Sequence, residues 1–109
     1  MGIAPAIADE FLTGTEDVPL MHNLSLLADE TFDFDTEDGR FYSSKATGLV
    51  DSQKVLTFYR QTLPQLGWTE KESGVFVRED DVLRINATQE QSENGKITVV
   101  VFELVTKSK

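Results

Sequence analysis

The chain has 109 residues, 39% hydrophobic and 27% charged, which suits one modest core and excludes both wholesale disorder and a membrane helix of about 20 apolar residues. There is no cysteine and a single histidine, His22, so disulfides, thiolate metal sites, cysteine nucleophiles and multi-histidine relays are excluded within one chain. The net charge of −9 is lopsided: residues 1–39 hold ten acids and no Lys or Arg, while residues 40–109 hold ten bases against nine acids. Without a basic patch to release counterions, nucleic acid is not an expected partner.

Residues 1–20 read as a flexible acidic N-terminal tail, broken by Pro5, Gly14 and Pro19, and residues 21–109 as a single α+β domain. Ala4-Pro5-Ala6-Ile7-Ala8 is similar to the small-residue end of a secretory signal, but no basic and apolar stretch precedes it. Chance and a start close to a natural cleavage site both stay open as explanations. A hairpin is expected over residues 31–50. Phe32 and Phe34 alternate with acids, Thr36-Glu37-Asp38-Gly39 makes the turn, and Tyr42, Ser44, Ala46, Gly48 and Val50 share one strand face. Gly48 suggests a bulge or close packing under a helix.

Asp51 is a good N-cap for a helix over 52–63. Val55, Leu56, Phe58, Tyr59, Thr62, Leu63 and Leu66 fall in an arc of about 160°, with polar residues opposite. Leu63 precedes Pro64, so the helix should end or kink there, with Gly67 at C′ and Trp68 folding back on Leu63. A strand meander follows: 68–72, 75–78, 82–89 and 96–105, separated by Ser73-Gly74, Glu79-Asp80-Asp81 and Ser92-Glu93-Asn94-Gly95.

The order β-β-α-β-β-β predicts a two-layer, helix-grip-like α+β domain, with one helix on an antiparallel sheet. Its core face should hold Phe76, Leu83, Ile85, Val100, Phe102 and Leu104 under Val55, Tyr59 and Leu63. The opposite face should hold Val75, Val77, Arg84, Asn86, Val99, Val101 and Glu103. That set is neither polar nor core, whereas a one-sided antiparallel sheet shows a clean polar outer face. Residues 20–30, a second copy or a ligand are the candidate covers.

Catalytic and metal motifs are weak. Asp33, Asp35 and Glu37 invite a loose calcium site, but the EF-hand glycine and glutamate positions fall on Asp38 and Ser44. Glu79, Asp80 and Asp81 lie in a turn, where no strong pKa shift is expected. Ser43-Ser44-Lys45 lacks the Ser-x-x-Lys spacing, and nucleophile-elbow and phosphate-loop patterns are missing from the sequence. Asn23-Leu24-Ser25 and Asn86-Ala87-Thr88 match the three-residue glycosylation pattern. No catalytic residue, metal ligand or cofactor is assigned. Arg84 and Glu103 are expected on neighbouring strands, either as an ordinary cross-strand ion pair or as a polar anchor in an apolar patch.

The segment from Val55 to Trp68, with Phe58-Tyr59-Arg60, Leu63-Pro64 and Leu66-Gly67-Trp68, resembles the helix motif of small bacterial domains of unknown function. Asp17-Val18-Pro19-Leu20-Met21 and Phe34-Asp35 with Gly39-Arg40 resemble the opening of the same domains, so the likeness spans roughly residues 16–104. His22 stands where that pattern has proline. The matching residues are core and capping residues, so the resemblance implies a fold and a bacterial source and offers no catalytic group. The expected function is a small non-enzymatic interaction or ligand-binding module, cytoplasmic or periplasmic. Its expected binding residues are Val75, Val77, Arg84, Val99, Val101 and Glu103. A protein partner, a small apolar ligand and a homodimer stay open as its targets. An acidic inhibitor docking on a basic partner and a small carboxylate enzyme are the alternatives.

Overall fold

The computed structural model describes residues 10–11, 18–93 and 95–107. In chain order the elements are β1 (Glu10–Phe11), β2 (Pro19–Leu20), β3 (Ser25–Leu26), β4 (Phe32–Thr36), β5 (Gly39–Gly48), α1 (Ser52–Thr62), β6 (Thr69–Glu72), β7 (Val75–Arg78), β8 (Asp81–Ser92) and β9 (Gly95–Lys107). β1 and β2 form a separate two-residue pair. The other strands build one antiparallel sheet in the order β3-β5-β9-β8-β7-β6, with β4 paired to the same edge of β5 as β3. One helix on one antiparallel sheet is the expected α+β architecture. No helix among the described residues is long and apolar enough to cross a membrane.

The helix forms where the apolar arc predicts it. Asp51 caps it, its carboxylate accepting from the Gln53 N–H at 2.8 Å. Pro64 cannot continue the α-helical bonding, and residues 63–66 tighten into a 3₁₀ turn. Gly67 takes the left-handed conformation at φ 93°, and the Trp68 N–H donates to the Leu63 carbonyl at 3.1 Å, which closes a Schellman ending. Trp68 is buried, and the Arg78 guanidinium lies 4.6 Å from its ring centre.

Val55, Tyr59 and Leu63 are fully buried against Phe76, Leu83, Ile85, Val100 and Phe102, as the patterning requires. Leu104 packs on the rim of this cluster. Tyr59 meets Phe102 edge-on at 5.5 Å between ring centroids. Thr98, polar but fully buried on the same face, donates its hydroxyl to the Val50 carbonyl just before the helix.

Two expectations are corrected here. The tail boundary at residue 20 is too late, because Val18 is fully buried and Leu20 nearly so, both inside the helix-side core. The Tyr59 hydroxyl fixes them by donating to the Pro19 carbonyl at 2.8 Å and accepting from the Met21 N–H at 3.0 Å. The rest of the predicted tail lies outside the described residues, apart from Glu10–Phe11. Gly48 also packs differently from expectation. A Cβ there would meet the Asn23 carbonyl oxygen at 2.2 Å, so the close approach is made by the N-terminal segment and not by the helix.

Candidate functional site

The register of the sheet turns its outer surface, the one away from α1, into rows that run across the strands. One row reads Phe34, Phe41, Val105, Val82, Val77 and Thr69. The next reads Phe32, Ser43, Glu103, Arg84 and Val75. Below it lie Lys45, Val101 and Asn86, then Thr47, Val99 and Thr88. The first row is apolar over five successive strands, and Phe32 and Phe34 are 48% and 54% exposed. Phe32, Phe34 and Phe41 stack in sequence, each neighbouring pair with ring centroids 6.5 Å apart. Surfaces of this kind mark interaction sites more often than plain solvent faces.

All six sequence-predicted binding residues lie on this face. Val75, Arg84, Val101 and Glu103 line one depression of about 370 Å³ together with Gly74, Ile85 and Asn86. Val77 lies one row above it and Val99 one row below Val101. Arg84 and Glu103 are directly opposite in register, as expected. Among the described residues, however, neither side chain forms an ion pair or hydrogen bond. The ordinary cross-strand salt bridge is therefore not made, although other cations on the molecule are engaged. Lys45 lies 3.6 Å from Glu30, Arg60 3.1 Å from Glu70, and Arg78 3.5 Å from Asp81.

The apolar residues of the proposed intramolecular cover turn to the other side of the sheet. Leu20 and Leu24 are buried in the helix-side core, and Leu26 is opposite Ala46, whose side chain also points inward. Of this segment Glu30 meets the outer rows at their margin, its carboxylate 3.6 Å from the Lys45 ammonium.

The other candidate residues are dispersed. Arg40 grips Asp33 in a fork, Nε to Oδ1 at 2.8 Å and the terminal nitrogen to Oδ2 at 2.5 Å, and lies 3.9 Å from Asp35. That bond holds the Asp33 carboxyl below the usual carboxylate range. Among the described residues no three acids or histidines are grouped to hold a metal ion, so Asp33, Asp35 and Glu37 do not converge as a calcium site would require. Asp81 pairs with Arg78, Glu79 and Asp80 are exposed in the turn, and His22 is exposed. Ser44 and Lys45 point to opposite faces of β5. Tyr42 and Ser44 lie side by side on the inner face, and burial pushes the Tyr42 phenol up, partly opposed by the neighbouring Ser44 hydroxyl.

Sequence reasoning missed Phe32, Phe34, Phe41, Val82 and Val105 as members of the outer face. The two β4 phenylalanines were visible as an alternation, and their side of the sheet follows only from the pairing of β4 with β5. No protein-family model matches this chain, and neither the curated proteins nor the solved structures give a match. The functional reading therefore rests on the geometry.

Proposed function

We propose that the chain is a small non-enzymatic binding module that works through the outer face of its sheet. The observation that carries this is the apolar row Phe34, Phe41, Val105, Val82 and Val77 beside the unpaired Arg84 and Glu103. A solvated antiparallel face is mostly polar, and a row like this one loses favourable burial for as long as it stays wet. The two charges give such a surface orientation, since each has hydrogen-bonding capacity that no neighbour among the described residues uses. The likeness of its helix motif to small bacterial domains makes a bacterial interaction module the frame for this function.

Val101→Lys tests it, because position 101 is at the middle of the face and outside the helix-side core. At dilution the variant should keep its melting temperature, and it should lose the macromolecules that immobilised wild-type chain retains from a bacterial lysate. Equal retention by wild type and variant would remove the face assignment. Retention that disappears with added salt, in both proteins alike, would favour the acidic-inhibitor alternative.

A further inference from the structure

The outer face is complementary to itself, and we propose that its partner is a second copy of this chain, packed sheet on sheet about a two-fold axis. The inference rests on the outer face being a binding surface and names what it binds.

With β3 and β4 sharing an edge, the sheet is six strands wide, and its midline runs between β9 and β8. That midline also separates Glu103 on β9 from Arg84 on β8, which stand opposite in register. A two-fold axis parallel to the strands and above this line lays β9 of one copy over β8 of the other. It brings Arg84 of each copy over Glu103 of its mate, and Val82 over Val105. Val77 then faces Phe41, and the β4 phenylalanines face β6. The charges left unpaired among the described residues of one chain acquire two symmetric partners, and the apolar row closes on its own copy. A two-fold contact requires a patch that matches itself in this way. A foreign protein would have to bring an acid and a base at the same spacing.

The size agrees. Strands about 4.8 Å apart and face residues about 6.8 Å apart along each strand give the shared surface roughly 500–700 Å² per copy. This is at the small end of stable interfaces, which bury about 800 Å² a side, so the dimer should dissociate on dilution. Sheets packed face to face at about 10 Å leave room for the aromatic side chains between them.

The experiment uses complementary charge variants in sedimentation equilibrium. The wild-type chain should approach twice its 12.2 kDa mass as concentration rises. Arg84→Glu puts acids at both central positions and Glu103→Arg puts bases at both. Each alone should weaken self-association by about 100-fold, with circular dichroism unchanged. An equimolar mixture of the two should associate again as a heterodimer, because each copy then offers what the other lacks. An effect confined to neighbours within one chain cannot produce that rescue. A wild type that stays monomeric up to about 1 mM chain, or a mixture that stays as monomeric as its parts, would overturn the self-pairing. A monomeric wild type whose retained macromolecules are still lost with Val101→Lys would leave the binding face standing and reject only this partner. Loss of neither association nor retention would remove both.

Discussion

Along β9, residues 98, 100 and 102 point at the helix, and residues 99, 101, 103 and 105 point away, yet both sets are mainly apolar. The inner set is fully buried and each member has a defined neighbour, such as Tyr59 on Phe102 and the Val50 carbonyl on Thr98. The outer set is half-buried only by its own row neighbours. The same residue type thus does two jobs on one strand. Valine at 100 holds the fold together, and valine at 101 is available for contact. Apolar content alone therefore does not define a core. A core position needs a second layer above it, and here a single helix and the segment around Val18–Leu24 cover only one side.

The largest way to test this contrast is at Leu63, which is fully buried where α1 ends. Leu63→Ala should cost about 2–5 kcal/mol, since it removes a large side chain from a site that the Schellman ending keeps from collapsing. Urea denaturation with an unchanged slope reads this directly, and a midpoint within error of wild type would show that the inner layer is not a packed core.

A smaller effect is expected at Tyr59, the link between the helix and the N-terminal segment. Tyr59→Phe leaves the Pro19 carbonyl and the Met21 N–H without their partner and should cost about 1–3 kcal/mol. The same phenol sets an alkaline limit. Burial raises its pKa far above the ordinary value of 10.0, partly opposed by the Met21 N–H that bonds it. The unfolded chain then releases this proton first, so the stability is fully present below about pH 10 and falls as pH rises above it. Tyr59→Phe should flatten that fall in part, leaving the share due to Tyr42, whose phenol burial also raises. An alkaline profile identical in the variant would show that Tyr59 is not sealed from water.

Much of the inner layer was legible in the sequence because its signals are local. The arc from Val55 to Leu66, the Asp51 cap, and the Pro64 and Gly67 stop all lie within one helix and its ends, and the strand alternation gave Leu83, Ile85, Val100 and Phe102. Val18 and Leu20 were not legible. Pro19 between them looks like a breaker, and the bond that buries the segment comes from Tyr59, some 40 residues away. The outer face was legible only where the alternation within β7, β8 and β9 was enough, which gave its six predicted residues. The apolar row was not, because each strand contributes a single residue to it and only the cross-strand register joins Phe34 to Val77. Register also placed Arg84 opposite Glu103, but pairing in sequence space did not foretell that the two side chains leave each other unbonded.

The finest comparison is between adjacent residues of β9, Val100→Ala and Val101→Ala. At position 100 the loss of two buried carbons and the void they leave should cost about 2–3 kcal/mol at any protein concentration. At position 101 the dilute chain should lose no more than about 0.5 kcal/mol, the usual range for a surface change. A folded monomer that pairs through this face gains stability by mass action, because only the native state can associate. The cost of Val101→Ala should therefore grow as the chain is concentrated, while that of Val100→Ala stays constant. Thermal melts of both variants over a hundredfold range of concentration, on the order of 1–100 μM, read the two slopes. Parallel behaviour of the two positions would mean that the outer valine is either ordinary surface or ordinary core, and the division of the sheet into a folding face and a binding face would not hold.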